Sequence, residues 1–220
     1  MLQGRSSARR LIEMAKNQRG PHLRIRRLRR AELPVDTLEL AKYLIGKTLV
    51  HDWRRVRVAG RIVETEAYPV GDKAAHAYGG LTPSRRSLFL SQGHAYVYFT
   101  YGSCFMMNVS SEIEGTGAGV LIRAVEPLEG IPFMERHRGT TRLLDLTRGP
   151  GRLAQAMDID KRLDGLDLCD GGLLWLGGEV RPAGPMGTSI RIGITRDVDR
   201  LFRFYERGSP YVSGPKSARE

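Results

Sequence analysis

The order of apolar and polar residues predicts a mixed chain in which short β-strands outnumber helices. Structured sequence is expected to begin near Leu33. A helix is predicted over residues 36–46, because apolar side chains recur at helical intervals between a capping-type Asp36 and the C-terminal Gly46. Further helices are predicted at 126–138 and 151–157. Strand patterns are predicted at 48–51, 56–68, 118–125, 173–176, 190–194 and 201–205.

Two β-rich runs, 94–100 and 104–110, flank a short turn that contains Gly102, and this spacing predicts a hairpin. The preceding residues 69–93 are rich in Gly, Pro, Ser and Ala and are predicted to form a long functional or mobile loop. No internal repeat or change of composition divides the rest of the chain. The sequence therefore predicts a single α+β domain over residues 33–220, built mostly of antiparallel strands with flanking helices.

The composition is that of an ordinary globular chain, with 41% hydrophobic and 27% charged residues among 220. No apolar run approaches the ~20 residues that span a bilayer, and the first thirty residues lack a secretory pattern, so we expect an intracellular protein outside the membrane. Cys104 and Cys169 are too few for a disulfide framework or a four-cysteine zinc site. Phosphate-loop, dinucleotide and zinc-deaminase motifs are absent, and we predict neither a metal nor a cofactor.

The formal net charge of +11 is concentrated at the N terminus. Residues 1–30 hold ten Lys or Arg and one acid, a net charge of +9, whereas the remainder carries +2. We interpret residues 1–32 as a basic arm, which favours polyanions such as nucleic acid. A targeting segment, a solubilising tail or a misassigned start codon are equally open interpretations.

Aromatic and charged side chains gather in one part of the chain. Five of the eight tyrosines fall between residues 68 and 101. Strand alternation places Glu66 and Tyr68 on one face of their strand, and a carboxylate held against aromatic walls can act as a general base for water. A solvated strand face is the alternative. Tyr101, at the hairpin turn, is either a wedge for a stack of bases or a residue that ends a strand.

Three more residues are candidates for the same site. His76 lies in the long loop, where an ordinary solvated histidine is the alternative. Asn108 falls within a strand, a position that asparagine disfavours, so it either reads a base edge or occupies a bulge. Arg123 interrupts an apolar run, and a buried guanidinium needs an anionic partner, for which Glu66 is a candidate.

Together these segments resemble the alkyladenine (3-methyladenine) DNA glycosylase family. The resemblance spans roughly residues 33–213 and implies a curved or barrel-like sheet with a protruding hairpin that inserts into DNA. It also implies a monomeric, metal-free hydrolase that flips alkylated or deaminated purines out of double-stranded DNA and cleaves the glycosidic bond. The matching motifs, in order, are RIVETEAY (61–68), AAH (74–76), YVYFTYG (96–102), MNVS (107–110), LIRAVEP (121–127) and RFYERGSP (203–210).

The resemblance also implies roles for individual residues in catalysis. Glu66 matches the general base that activates the attacking water, and Arg123 matches the arginine that helps to hold this water. Glu206 takes the place of a residue whose main-chain carbonyl contacts the same water. The family often has an aliphatic residue there, so Glu206 departs from the pattern.

Other positions match the family's base pocket. Asn108 matches the residue that excludes the exocyclic amino group of guanine, and Tyr101 matches the side chain that fills the gap in the duplex. Ser103 departs from the bulkier residue that often follows the Tyr-Gly pair. The residues that match the pocket walls are Tyr68, His76 and Tyr98.

Two other classes of protein compete with a hydrolytic glycosylase. A non-catalytic nucleic-acid-binding module would keep the fold and the arm, but it has no use for the pair Glu66 and Arg123. An acyl or formyl transfer domain would need a nucleophile or a cofactor loop that the sequence lacks. The six lysines lie away from the aromatic candidates, which disfavours a Schiff-base lyase.

Overall fold

The computed structural model describes residues 23–53, 56–100 and 102–214. Its strands are β1 (Thr48–Trp53), β2 (Val56–Tyr68), β3 (Ala95–Thr100), β4 (Cys104–Ser110), β5 (Gly119–Glu129), β6 (Leu174–Gly177), β7 (Met186–Ser189) and β8 (Arg203–Glu206). Its α-helices are α1 (Thr37–Tyr43), α2 (Ile131–Arg138), α3 (Leu143–Leu146) and α4 (Pro150–Ala156). Short 3-10 turns occupy Arg30–Glu32, His76–Gly79, Pro83–Phe89 and Lys161–Leu163.

The long strand β2 organises the sheet, because it pairs antiparallel with β1, β5 and β8. The strand order is β3-β4-β5-β2-β1-β6, with β7 attached through β8. Register shifts interrupt the pairing of β2 with β5 near Gly60 and Glu64. Because such bulges bend a strand and increase its twist, the sheet curls into a half-barrel. The predicted α+β class and curved antiparallel sheet are confirmed.

The main apolar core lies between the sheet and the helices that cover it. Leu40 and Leu44 enter it from α1, Phe133 from α2 and Leu153 from α4, and each is nearly or fully buried. The first helix begins as predicted, because the side chain of Asp36 accepts a hydrogen bond from the Glu39 N–H at 2.9 Å. Burial of these side chains supplies most of the driving force for folding.

Two predicted elements are wrong. Residues 126–129, predicted as the start of a helix, continue strand β5, and the helix begins at Ile131. Gly130 separates them with a φ of +76°, and a Cβ there would lie 2.6 Å from the Arg57 carbonyl, so the chain turns where only glycine fits. The strand predicted at 190–194 is absent, since β7 ends at Ser189.

Smaller differences concern the loop, the last strand and the N terminus. Residues 69–93 contain two of the 3-10 turns, and the strand predicted at 201–205 runs from Arg203 to Glu206. Leu28, assigned to the basic arm from sequence, is 1% exposed, and its N–H donates to the Leu176 carbonyl at 2.9 Å. The packed domain therefore includes residues upstream of Leu33. Residues 1–22 of the arm lie outside the described residues.

The predicted hairpin is confirmed as β3 and β4. The pairs Tyr96–Asn108, Tyr98–Met106 and Thr100–Cys104 lie opposite one another. Tyr101, at the turn between the strands, lies outside the described residues. Within the described ranges, none of the helices has the length and apolarity to cross a membrane.

Candidate active site

A cavity of about 880 Å³ opens beside the last residues of β2. The hairpin β3–β4, strand β5 and the two loops that contain residues 73–79 and 192–196 surround it. Five of the residues singled out from sequence line this cavity: Tyr68, His76, Tyr98, Asn108 and Arg123. The volume is in the range of small-molecule binding sites.

Glu66 lies behind the cavity wall with its carboxylate fully buried. Its Oε1 accepts the Ile192 N–H at 2.7 Å and lies 3.1 Å from Nη1 of Arg123. Its Oε2 accepts the hydroxyl of Tyr68 at 2.9 Å. All three donors belong to residues that line the cavity. Because each carboxylate oxygen can accept two hydrogen bonds, Oε2 keeps acceptor capacity for a water.

Arg123 joins Glu66 to a second buried carboxylate. Its Nε donates a hydrogen bond to Oε1 of Glu64 at 2.8 Å. Glu64 also accepts hydrogen bonds from Nε of Arg203 at 2.7 Å and from the Ser213 N–H at 2.6 Å. Burial opposes ionisation of Glu64, but Arg123 and Arg203 outweigh it and lower its pKa. Burial likewise opposes the charge on Arg123, yet the two carboxylates raise its pKa. Two carboxylates and two guanidiniums thus form a charge-balanced floor.

Aromatic rings form one side of the cavity. The ring centroids of His76 and Tyr98 are 4.3 Å apart in an edge-on arrangement, and Tyr98 stacks on Tyr96 at 5.1 Å. His76 faces the open cavity, and its Nδ1 lies 3.1 Å from the Tyr96 hydroxyl. Burial and the positive charge of nearby Arg85 lower the pKa of His76, so the imidazole is neutral at pH 7. Burial and Glu66 raise the pKa of Tyr68, which therefore stays neutral and donates its proton.

Asn108 contributes a polar group to the cavity from strand β4. The residue is 6% exposed, and among the described residues its Oδ1 accepts no hydrogen bond. A buried amide oxygen without a partner is costly, so such an atom commonly serves recognition. Asn108 and Tyr98 both line the cavity.

Glu206 is not brought to this site. Strand β8 pairs with β2 so that Arg203 lies opposite Glu66, which leaves Glu206 three residues farther along the strand. Its carboxylate accepts Nη2 of Arg61 at 2.9 Å and the Gly184 N–H at 2.7 Å, and its carbonyl accepts the Ser209 N–H. The placement of Glu206 beside the attacking water is therefore wrong.

Residues 192–196, which contain no catalytic or binding motif, also line the cavity. Here the Ile192 N–H is the main-chain group in contact with Glu66, at 2.7 Å. A main-chain donor leaves no side-chain signature in the sequence. The glycine at 193, whose φ is +79°, is the signal in this segment, and it indicates a turn rather than a site.

The exposed part of the cavity lining is cationic. Lys73 and Arg196, both exposed, lie in the lining with Arg85, and no carboxylate of a described residue joins them. The expectation that all six lysines lie away from the aromatic candidates is therefore wrong for Lys73. This balance suits the phosphates of a nucleic acid. Among the described residues, no three His, Cys, Asp or Glu side chains come close enough together to bind a metal ion.

Comparisons with known proteins agree with this geometry. The family model described as Methylpurine-DNA glycosylase (MPG) matches residues 31–210. A protein of Mesorhizobium japonicum named "Putative 3-methyladenine DNA glycosylase" is 61% identical over 191 residues, covering 87% of this chain and 92% of that protein. Relatives of the same name in Paraburkholderia phytofirmans and Chlorobaculum parvum are 52% and 48% identical, and cover 86% and 84% of this chain and 89% and 91% of their own lengths.

Proposed function

The chain belongs to the methylpurine-DNA glycosylase family, and from this premise we propose that it is a monofunctional DNA glycosylase of the 3-methyladenine type. One observation carries the proposal. A fully buried carboxylate, Glu66, lies directly behind the wall of a cavity that is lined by tyrosine and imidazole rings, in contact with Arg123 of that wall. A flipped base fits between the rings, and its sugar would then face the carboxylate.

The energetics of binding favour a damaged base. Extruding a base costs a few kcal/mol, and less when its pairing is already weakened. Stacking on an aromatic ring returns about 1–3 kcal/mol per base. An alkylated purine is cationic, so the faces of Tyr68 and Tyr98 attract it by a further ~0.5–2 kcal/mol. Damaged purines are therefore selected before any bond is broken.

The chemistry requires a water, a base and a leaving group. The oxygen of a water attacks the anomeric carbon of the sugar, and Glu66 takes a proton from this water during the attack. Arg123 holds Glu66 and the water in place. The glycosidic bond breaks, and its electron pair leaves with the purine. The positive charge of 3-methyladenine makes it a good leaving group, whereas a neutral lesion such as hypoxanthine needs a hydrogen bond to the departing base. The product is an abasic site.

Further roles complete the proposal. Asn108 excludes normal guanine by crowding its exocyclic amino group, and Tyr101 fills the gap that the flipped nucleotide leaves in the duplex. The partner is double-stranded DNA that contains alkylated or deaminated purines. We expect the enzyme to act as a monomer and inside the cell, where this substrate is found.

Incubation with alkylated duplex, followed by alkaline cleavage at abasic sites, tests the function. We expect free alkylated purine and an equal amount of strand cleavage after alkali treatment. Strand cleavage without alkali would indicate a lyase instead. Specific binding without any release would leave only a nucleic-acid-binding module on the same fold.

A further inference from the structure

A second buried ion pair lies behind the wall of the cavity. The side chains of Arg191 and Asp72 are both 0% exposed, and Nη2 of Arg191 donates to Oδ2 of Asp72 at 2.8 Å. Neither residue lines the cavity. Burying two charges is expensive, so a pair of this kind without a part in the proposed chemistry needs an explanation.

Arg191 lies against the proposed base-stacking residue. Its guanidinium carbon is 4.6 Å from the ring centroid of Tyr68, and its Nη1 donates to the Ala67 carbonyl at 2.9 Å. The following residue, Ile192, donates its N–H to Glu66. One residue therefore fixes the back of the Tyr68 ring and the main chain that holds the proposed general base.

Asp72 also holds the loop that leads to His76. Its Oδ1 accepts the Ala74 N–H at 2.8 Å, and its carbonyl accepts the Ala75 N–H at 3.0 Å. These two bonds shape the turn that leads directly into His76. The ion pair thus ties the loop that carries His76 to the strand that carries Tyr68.

The charges around this pair are balanced. Besides Arg191, Oδ2 of Asp72 lies 3.7 Å from Nη1 of Arg200, and Arg200 lies 3.6 Å from Asp197. Asp197 also offers its carbonyl to Arg191 at 3.2 Å. The two acids and two arginines balance one another, and the exposed Lys73, whose N–H donates to Oδ2 of Asp197 at 2.8 Å, adds a positive charge at the solvent side of the cluster. Removing the Asp72 carboxylate would leave the guanidinium of Arg191 without its buried counter-charge beside the Tyr68 ring.

We propose that Asp72 and Arg191 are positioning and specificity-determining residues that hold Tyr68 in place while keeping the region behind its ring electrically neutral. The inference rests on the proposed function. Because Arg191 does not line the cavity, the ring face that it covers is turned away from the cavity and a base would stack on the other face. A guanidinium without a counter-charge would then repel a cationic base across the ring, whereas it would exert no such repulsion on a neutral base.

The test compares release of a cationic and a neutral lesion. Single-turnover rates are measured for 3-methyladenine in dimethyl sulfate-treated DNA and for hypoxanthine in an inosine-containing duplex. We expect Asp72→Asn to lower the ratio of the two rates by about tenfold, since like charges interact across a single ring in a poorly solvated site. Adding Arg191→Met to this variant removes both charges and restores the ratio, even where both rates fall.

Two more variants keep the test decisive. Arg200→Gln changes a side chain that is 44% exposed, so the fold tolerates it, and it removes one positive charge from the cluster. We expect it to raise the ratio, the opposite direction to Asp72→Asn. The matched control is Asp52→Asn, because Asp52 accepts Nε of Arg57 at 2.7 Å and that guanidinium lies over the Trp175 ring, away from the cavity. We expect it to lower stability and leave the ratio unchanged.

The outcomes separate this inference from the proposed function. If the unaltered protein releases neither lesion, the proposed function fails. If it releases both, and Asp72→Asn slows them equally or Arg200→Gln leaves the ratio unchanged, the pair is merely structural and the inference is overturned.

Discussion

Replacement of Glu66 by glutamine is the sharpest test of the proposed chemistry, because it removes the charge and keeps the shape. The carbonyl oxygen of the introduced glutamine can still accept the Ile192 N–H, which lies 2.7 Å from Glu66 Oε1. The new amide group would face Tyr68, whose hydroxyl oxygen can accept a hydrogen bond as readily as its proton can be donated. We therefore expect the variant to fold with the cavity intact.

The loss of rate follows from the role of the carboxylate. A positioned general base contributes about 10²–10⁴-fold, which is ~3–5 kcal/mol of activation free energy. Stability should fall less, by ~1–3 kcal/mol, because Arg123 retains Glu64 as a partner at 2.8 Å. The floor of the site gains one positive charge, so binding should be measured with a neutral hypoxanthine duplex rather than a cationic lesion.

Single-turnover release and equilibrium binding are measured side by side for this variant. Glu206→Gln is the matched control, since its carboxylate is also buried and paired with an arginine, Arg61, but lies outside the cavity. It should lower the free energy of unfolding by up to ~3–5 kcal/mol and leave release by the folded protein unchanged. Undiminished release by Glu66→Gln would refute the general-base role, and loss of both release and hypoxanthine binding would show that the carboxylate is structural.

Four further predictions concern recognition and binding. Asn108→Ser should open the pocket to guanine, seen as faster release of guanine-type bases from alkylated DNA; no change would exclude the proposed clash. The pKa of His76 is lowered, so the neutral imidazole contributes stability above its ordinary pKa of 6.5, and this contribution is lost as the pH falls through the lowered pKa. Release of cationic lesions by the unaltered protein should decline over the same pH range. The variant His76→Gln should not show this decline. Tyr101→Ser should weaken discrimination between lesion and normal duplex, and superimposable binding curves would argue against a wedge. Removing residues 1–22, which hold five basic residues and one acid, should reduce the slope of log K against log salt by ~0.9 for each phosphate that the arm neutralises, and an equal slope would reject DNA binding by the arm.

Alternation and glycine spacing predict most strands because each strand is a local pattern. The hairpin and β2 were predicted within a residue or two, whereas the boundary at Gly130 was missed. There the residues 126–129 suit a helix as well as a strand, and their pairing with β2, which the local pattern does not contain, makes them a strand. The strand predicted at 190–194 fails for a similar reason, since β8 pairs with the four residues before it.

The candidate site could likewise be predicted from the sequence only in part. Side-chain chemistry such as that of Glu66 and Arg123 leaves a signature in sequence, and the structure brings those two within 3.1 Å. Main-chain chemistry leaves none, so the contact of Ile192 with Glu66 was invisible and Glu206 was placed wrongly. The pair Arg191 and Asp72, 119 residues apart, was equally hidden because neither residue belongs to a motif.

Under the proposed function, the distribution of charge would let one cavity serve both a cationic base and an anionic backbone. Behind the cavity wall, two buried carboxylates balance two guanidiniums, and behind the ring of Tyr68 two acids pair with two arginines. The interior therefore does not repel a cationic purine. The unbalanced positive charge lies instead on exposed lining residues, Lys73 and Arg196, where phosphates can reach it. Attraction of the backbone and acceptance of the base are thus separated in space, and a change in either buried set should alter the choice of lesion before it alters affinity for DNA.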